Sequence, residues 1–253
     1  MNLGARSIVA QIEERVKEIP GWSPVDQLYT LFNLAYLTPD LNGDIVEIGS
    51  WCGRSASVLG LAAKFIGNTR IHCVDPFPEK EDWRQNEDGS YSFEVTIGGI
   101  VYSSYRDQTV WKEPFERDIA PLYERNHSIL DIFRETISRD HLEDFVIVYR
   151  GDSTFFIRSV GENFKCKLAF IDGDHSYEAV CRDIRNIGRF LVPGGWICFD
   201  DAFSGYAGVN EAIEDCIIKN PDYELGQQMT RKFFIARKKR GQDDSTHQTP
   251  ESR

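Results

Sequence analysis

The feature that most constrains the fold is a regular alternation of short apolar runs with longer helical patterns. Five runs have the character of β-strands, and most end at or beside an acidic residue or a glycine: Ile45–Gly49, Ile71–Asp75, Phe145–Tyr149, Leu168–Asp172 and Trp196–Asp200. Among the helical patterns are Ser55–Ile66, Tyr177–Leu191 and Val209–Lys219, each followed by Gly, Pro or Asn stop signals. This alternation predicts an α/β fold with a parallel sheet and crossover helices.

Two further strand-like runs lie near the end of the chain. Tyr223–Gln228 and Lys232–Arg237 are separated by three residues, which indicates an antiparallel hairpin at the sheet edge. We therefore expect a Rossmann-like, seven-stranded, mostly parallel sheet. We divide the 253 residues into an N-terminal helical extension (1–40), a domain that carries the sheet (41–240), and a polar tail (241–253) that we expect to be disordered.

The stretch 78–125 is far longer than an ordinary connection between a strand and a helix. It contains eight aromatic residues, more than a structureless loop would carry. Within it, Tyr91–Ile97 and Ile100–Tyr105 flank Gly98-Gly99, a pattern typical of a β-hairpin. We interpret the stretch as an insertion that forms either a lid over the site or the contact of a homodimer, with neither favoured.

The charge and composition of the chain exclude some classes of partner. The net charge is −11 and no basic stripe is visible, so we expect no nucleic acid partner. No apolar stretch approaches the roughly 18 residues needed to cross a bilayer, and we recognise no secretory leader. The six cysteines show no CxxC spacing, which predicts neither a zinc site nor disulfides. We expect a cytoplasmic enzyme that acts on a small molecule away from membranes.

A glycine-containing turn follows the first strand and opens the next helix. Its spacing is GxxxG, formed by Gly49 and Gly53 with Trp51 between them. Gly49 permits a sharp turn, and Gly53 permits a close approach of the helix start to a ligand. A dinucleotide fingerprint needs GxGxxG, because its second glycine lets backbone amides touch the pyrophosphate, and Trp51 stands where that glycine is needed. The turn argues against NAD and favours a cofactor without phosphate, such as S-adenosylmethionine (AdoMet).

Two other strand ends are placed to complete a nucleoside site. The second strand ends in Asp75, where a carboxylate is placed to accept hydrogen bonds from two ribose hydroxyls. The third strand is followed by Asp152 and Ser153, whose short polar side chains lie within reach of an adenine amino group. Each signal alone is weak, but their joint occurrence in this order favours the AdoMet interpretation.

From Asp44 to about Ala212 the chain resembles the class I AdoMet-dependent methyltransferases. Within them it is most similar to the metal-dependent O-methyltransferases typified by those of macrocin and other macrolide sugars, with cephalosporin hydroxylase-like relatives. The segments that carry the resemblance are Val46–Ser55, Val74-Asp75, Phe170–Tyr177 and Pro193–Asp201.

The resemblance also implies which residues bind the cofactor. It implies Glu47, Gly49 and Ser55 around the methionine portion, Asp75 on the ribose, and Asp152-Ser153 near the adenine. We expect three further contacts to the cofactor, from Trp51, Gly53 and Asp172.

Three aspartates at strand ends form a second predicted site. Asp172 ends the fourth strand, and Asp200 and Asp201 end the fifth. Adjacent parallel strands lie about 4.8 Å apart, so the three carboxylates should converge. Hard oxygen ligands suit a divalent cation, and we expect Mg²⁺. The resemblance implies the same metal triad; the alternative is that Asp172 only contacts AdoMet and Asp201 caps the following helix.

His175 is the best candidate for a general base. It follows the metal ligand Asp172 by three residues, and an imidazole titrates near neutral pH. A metal that binds the acceptor oxygen lowers the pKa of its hydroxyl, and the base then takes the proton. Asp174 is a second candidate base. The alternative for His175 is a helix cap or a contact that orients the substrate.

These observations predict an AdoMet-dependent, metal-assisted O-methyltransferase that acts on a hydroxyl of a small polar molecule such as a sugar or a glycosylated natural product. The alternatives are an N-methyltransferase or a hydroxylase-like relative on the same fold, and a non-catalytic AdoMet-binding protein. A nicotinamide oxidoreductase is disfavoured by Trp51.

Overall fold

The computed structural model describes residues 7–38, 40–104, 110–125 and 128–241, so the predicted disordered tail lies outside the described residues apart from Gly241. The chain folds around a main sheet of seven strands. In chain order they are β1 Asp44–Ile48, β2 Ile71–Asp75, β6 Val146–Arg150, β7 Cys166–Ile171, β8 Leu191–Phe199, β9 Tyr223–Gln228 and β10 Phe234–Lys238. A second sheet contains β3 Trp83–Gln85, β4 Tyr91–Ile97 and β5 Ile100–Ser104.

The strand order of the main sheet is β6-β2-β1-β7-β8-β10-β9. The first five strands are parallel, and β10 runs antiparallel to both of its neighbours. The prediction of a mostly parallel seven-stranded sheet with a C-terminal antiparallel hairpin is confirmed. From β1 the chain moves outward through β2 to β6, and it then returns to β7 on the other side of β1. This reversal opens a crevice at the carboxyl ends of β1 and β7, where ligands bind in sheets of this kind.

Helices cover both faces of the main sheet. One face carries α1 Ile8–Val16, α2 Val25–Tyr36, α3 Arg54–Ile66 and α6 Ile129–Arg139; the other carries α7 Ser153–Ser159, α8 Tyr177–Gly188 and α9 Ala207–Ile213. Successive strand residues point to opposite faces: Ile45 and Phe170 belong to one apolar cluster, Val46 and Ala169 to the other. The central strands therefore carry apolar residues on both faces rather than alternating, because both faces are buried, with Glu47 of β1 among the few buried charged residues.

Several element boundaries differ from the prediction. The helix predicted to reach Leu191 ends at Gly188, and β8 begins at Leu191 instead of Trp196. Leu191 pairs with Cys166 of β7, and a register shift in this pairing accommodates the Pro-Gly-Gly segment that we interpreted as a helix stop. The sequence patterns did not predict α6, α7 or β3; α7 and β3 are only 7 and 3 residues long.

The insertion forms the second sheet and a short helical segment. The predicted hairpin at Gly98-Gly99 is confirmed, and both glycines have a positive φ. After it, α4 Lys112–Pro114 and α5 Ala120–Arg125 flank a π-helical turn, Phe115–Ile119. Part of the predicted second strand, Tyr105, lies outside the described residues.

Aromatic residues of the insertion form its own small core. The Trp83 ring lies 4.9 Å from the Phe93 ring and 5.0 Å from the Phe115 ring, centroid to centroid. The Trp83 indole donates to the Tyr123 hydroxyl at 2.8 Å, and that hydroxyl donates to the Pro78 carbonyl at 2.8 Å. These contacts join the end of the insertion to its beginning, beside β2.

The N-terminal helices α1 and α2 pack against α3. Arg54, the first residue of α3, donates hydrogen bonds to the carbonyl oxygens of Val16, Ile19 and Ser23. One guanidinium therefore holds the segment between α1 and α2 at the carboxyl edge of the sheet. Among the described residues, no helix has the length and apolar character to cross a membrane.

Candidate active site

A cavity of about 820 Å³ opens at the carboxyl edge of the main sheet, above the crevice between β1 and β7. Its volume is in the range of small-molecule sites. The strand ends form its floor, while residues 20–23 and the insertion form its walls. Ten of the predicted site residues line the cavity: Gly49, Trp51, Ser55, Asp75, Asp152, Asp172, Asp174, His175, Asp200 and Asp201. Three others, Glu47, Gly53 and Ser153, are not among the lining residues.

Asp75 organises the glycine turn. Its Oδ2 accepts hydrogen bonds from the backbone N–H groups of Ser50 and Trp51, each at 2.9 Å, and its Oδ1 accepts one from Phe77 at 2.6 Å. A carboxylate offers about four acceptor positions, and the backbone uses three of them. The predicted pair of hydrogen bonds to two ribose hydroxyls therefore does not fit this arrangement, which leaves room for about one.

Gly53 is required for packing rather than for contact with a ligand. Its φ is +88°, and a Cβ built on it would lie 3.1 Å from the Phe133 ring and 3.4 Å from the Thr136 methyl group, both in α6. The Thr136 hydroxyl also donates to the Cys52 carbonyl at 3.0 Å. The close approach that we predicted at Gly53 is thus made by α6.

Ser153 also faces away from the cavity. Its buried hydroxyl donates to Asp183 of α8 at 2.6 Å and lies 2.9 Å from the Asn186 amide nitrogen. Asp152 caps α7 by accepting a hydrogen bond from Phe155 N at 2.8 Å. Asp183 lines the cavity, and burial raises its pKa to about 7. The sequence did not single out Asp183, because a charged residue within a helical pattern is typical of a solvated face.

Glu47 lies beneath the glycine turn and is completely buried. Its Oε2 accepts a hydrogen bond from the Ser50 hydroxyl at 2.6 Å, while Oε1 has no hydrogen-bond partner among the described residues. Burial raises the pKa of this carboxyl to about 7. Glu47 therefore supports the turn from below, and its ionisation opposes folding.

We expect Glu47→Gln to change how stability depends on pH. The folded-state pKa of Glu47, about 7, is above its ordinary value of 4.5, so the folded state binds the proton more tightly. Wild-type stability should fall as pH rises from 4.5 through 7, whereas the amide has no proton to lose. Relative to wild type, the variant should gain on the order of 2–3 kcal/mol between pH 5 and pH 8. Urea unfolding at both pH values measures this gain.

Glu14→Gln is the matched control, because it makes the same change at an exposed position of α1. The pH dependence of its stability should follow that of wild type. The same relative gain in both variants, or no gain in either, would show that burial does not raise the pKa of the Glu47 carboxyl.

The three predicted aspartates converge at the ends of β7 and β8, and two basic side chains contact them. The Lys232 ammonium lies 3.1 Å from Asp200 Oδ2 and 3.0 Å from Asp201 Oδ1. His175 Nε2 lies 3.0 Å from the other oxygen of Asp201. The possible ligand atoms of Asp172, His175 and Asp201 all lie within 4.8 Å of one another. This close group differs from the predicted triad, since His175 takes the place of Asp200, which is held by Lys232.

The charges of the cluster shift its pKa values in opposite directions. Burial, followed by the negative charges of Asp200 and Asp201, raises the pKa of Asp172 well above its ordinary range. Burial also acts to raise the pKa of Asp201, but hydrogen bonding to His175 and the charge of Lys232 outweigh it, so that pKa is lowered. Asp201 is thus the carboxylate best stabilised in its charged form.

The turn after β8 fixes this arrangement. Asp201 has a φ of +53°, an uncommon value for a residue other than glycine, and its backbone N–H donates to Asp200 Oδ1 at 2.7 Å. The Tyr206 ring stacks on the imidazole of His175 at 4.2 Å. The alternative interpretation required Asp201 to cap the next helix. Asp201 instead contacts His175 and Lys232. Asp174 accepts a hydrogen bond from the Ser176 N–H at 2.7 Å, in the turn that enters α8.

Comparison with known proteins agrees with this geometry. A family described as a methyltransferase domain matches residues 46–202, more than half of the chain. Among solved structures, the O-methyltransferase NovP superposes with a TM-score of 0.61 at 17% identity, covering 85% of this chain and 81% of NovP.

Two other solved structures have the same fold. TomG, an O-methyltransferase from Streptomyces achromogenes solved with SAM, gives a TM-score of 0.54 at 13% identity over 92% of this chain and 90% of TomG. CalS11, a TDP-rhamnose 3′-O-methyltransferase, gives a TM-score of 0.53 at 16% identity, covering 90% of this chain and 92% of CalS11. The matched family region begins in β1 and ends just after β8, so it contains the strand ends that form the cavity floor. The chain therefore belongs to the methyltransferase domain family and is a class I AdoMet-dependent methyltransferase.

Proposed function

We propose that this enzyme transfers the methyl group of AdoMet to a hydroxyl group of a small polar molecule. The observation that carries the proposal is the His175–Asp201 pair, with its 3.0 Å contact, in the wall of a cavity at the carboxyl edge of a methyltransferase sheet. An amine acceptor would need no such base, because its lone pair is available once it is neutral. The pair therefore favours O-methylation over N-methylation.

The charge of the cavity suits AdoMet. Seven aspartates line it, against three cationic side chains, Arg54, Arg182 and Lys232. AdoMet carries a positive sulfonium and a positive ammonium group, which an acidic cavity attracts. The pyrophosphate of a nicotinamide cofactor would be repelled. When bound, AdoMet supplies an activated methyl group on its sulfonium sulfur.

His175 and Asp201 act together in the proposed reaction. Asp201 orients the imidazole and stabilises its charged form, as a carboxylate does in a catalytic His–Asp pair. As the acceptor oxygen forms the new C–O bond and the C–S bond breaks, the hydroxyl proton passes to His175, and the sulfur keeps the electron pair. The Tyr206 ring, stacked at 4.2 Å, restricts rotation of the imidazole.

We also propose that the site holds a divalent metal, with Mg²⁺ as the first candidate. The donor set fits such an ion: three carboxylates converge, and Lys232 offsets one of their charges. The predicted ligands Asp172, Asp200 and Asp201 leave His175 as the base, whereas the closest group, Asp172, His175 and Asp201, makes it a ligand. A bound metal would lower the pKa of the acceptor hydroxyl.

The walls of the cavity indicate an acceptor with an apolar face. Trp22 and Trp111 line the cavity, yet these residues are 54% and 63% exposed. Trp83, Phe93 and Tyr102 line it as well. Large aromatic surfaces of this kind pack against the C–H face of a sugar ring or against another aromatic ring, which supports a sugar or a glycosylated natural product as acceptor. CalS11 is a TDP-rhamnose 3′-O-methyltransferase of calicheamicin biosynthesis and TomG is involved in tomaymycin synthesis, which supports an acceptor of this kind.

As part of the same proposal, we place the enzyme in the cytoplasm and expect it to assemble as a homodimer. We expect it to act without a nucleic acid or membrane partner. The six cysteines are free thiols, as suits a reducing compartment. The insertion contributes to the cavity wall, which supports the lid interpretation over a role confined to a dimer contact.

Calorimetry with S-adenosylhomocysteine and with NADH tests the cofactor. We expect S-adenosylhomocysteine to bind at least about a hundredfold more tightly than NADH, a difference of about 2.7 kcal/mol. The reason is the acidic lining of the cavity and the absence of a glycine at Trp51. Tight binding of NADH without binding of S-adenosylhomocysteine would overturn the proposed function.

A further inference from the structure

Lys232 reaches the carboxylate cluster from the segment just before β10, the strand that pairs with β8. Phe234 of β10 pairs with Phe199 of β8, so Lys232, two residues earlier, lies beside the turn that follows Phe199. The Ala202 N–H donates to the Lys232 carbonyl at 2.9 Å, and Phe233 is completely buried. These two attachments hold the backbone in place and direct the Lys232 side chain into the cavity, which it lines.

The ammonium group bridges two successive aspartates. Its side chain is only 19% exposed, and those of Asp200 and Asp201 are 3% and 14% exposed. Two carboxylates this close and this buried repel each other unless a cation lies between them. Lys232 supplies that cation from within the chain, and a lysine ammonium is a compact point charge suited to this position.

We propose that Lys232 is a built-in cation that sets the metal affinity of the active site. It holds Asp200 and one oxygen of Asp201, so a divalent ion must either displace the ammonium from these oxygens or use the ligand atoms of Asp172, His175 and the other oxygen of Asp201. It keeps the aspartates together when no metal is bound. It also repels an incoming metal, so that binding is weaker than three carboxylates alone would allow. The inference rests on the proposed function in taking the cluster as the metal site.

Direct measurement of Mn²⁺ binding to the full chain tests this role without any assay of activity. Free Mn²⁺ is counted by electron paramagnetic resonance during a titration. Lys232→Met removes the charge but keeps a long side chain, and we expect it to bind Mn²⁺ at least about tenfold more tightly than wild type. Lys232→Arg keeps the charge, and its affinity should stay within about threefold of wild type.

Arg231→Met is the matched control. Arg231 is adjacent and exposed, so its loss changes the net charge equally but leaves the cluster intact. Its Mn²⁺ affinity should stay within about threefold of wild type, because solvent and salt screen an exposed charge. If Lys232→Met is unstable, Mn²⁺ should raise its melting temperature more than it raises that of wild type. Lys232→Gln, the second neutral variant, should also bind Mn²⁺ more tightly than wild type.

Equal or weaker Mn²⁺ binding in both neutral variants of Lys232 would overturn the inference, as would a gain of the same size in Arg231→Met. Calorimetry with S-adenosylhomocysteine on the same preparations tests the proposed function separately from the role of Lys232. If wild type fails to bind S-adenosylhomocysteine, the proposed function fails, whereas the Mn²⁺ comparison still decides the role of Lys232.

Discussion

Gly49→Ala is expected to cost roughly 4 kcal/mol or more of stability, enough to unfold a marginally stable domain. A Cβ built on Gly49 would lie 1.9 Å from the carbonyl oxygen of Asp172 and 2.5 Å from its carbonyl carbon. Both are backbone atoms, and the Asp172 N–H donates to the Ile48 carbonyl at 2.8 Å, so neither strand end can move without breaking the β1–β7 pairing. Gly49 also has a φ of +88°, which adds about 1–2 kcal/mol for a residue with a Cβ.

Gly89→Ala separates the clash from the backbone conformation. Gly89 has a similar φ of +83°, but a Cβ there would meet no atom within 4 Å. We expect a loss of only about 1–2 kcal/mol in this variant. Urea unfolding measures both losses, and calorimetry with S-adenosylhomocysteine shows whether the cavity survives. Similar losses in the two variants would mean that the contact between β1 and β7 is not what requires Gly49.

His175→Asn is expected to lower the turnover number by about 10²–10⁴ while leaving the affinity for S-adenosylhomocysteine within a few-fold of wild type. Asparagine keeps a polar side chain beside Asp201 but cannot take the acceptor proton at neutral pH. Formation of S-adenosylhomocysteine from AdoMet, with acceptors drawn from sugar nucleotides and glycosylated natural products, measures the turnover. His141→Asn, at an exposed position remote from the cavity, is the control and should be fully active.

Mn²⁺ binding to the same variant distinguishes the two roles open to His175. If His175 is the base, the variant keeps its Mn²⁺ affinity while its turnover falls. If His175 is a metal ligand, Mn²⁺ affinity falls together with turnover. Full activity of His175→Asn would exclude both roles and leave Asp174 as the candidate base.

Much of the cofactor side of the cavity was predictable from sequence. Strands of a parallel sheet bring their carboxyl ends to one edge, so the residues after each apolar run, such as Gly49, Asp152 and Asp172, had to lie near one another. The edge on which a residue lies does not specify the direction of its side chain. Ser153 points to α8, and Gly53 packs on α6, because neighbouring helices decide those contacts.

The amino-acid sequence by itself determined the class of fold, the location of the cavity and the convergence of the three aspartates, since these follow from the local alternation of strands and helices. Only the tertiary structure decided which partner each charge has. Lys232 is 31 residues from Asp201 along the chain, and the sequence pattern placed it inside a strand. The antiparallel pairing of β10 with β8 brings it to the aspartates. Charge interactions depend on distances of a few ångströms, which strand packing sets and local pattern does not.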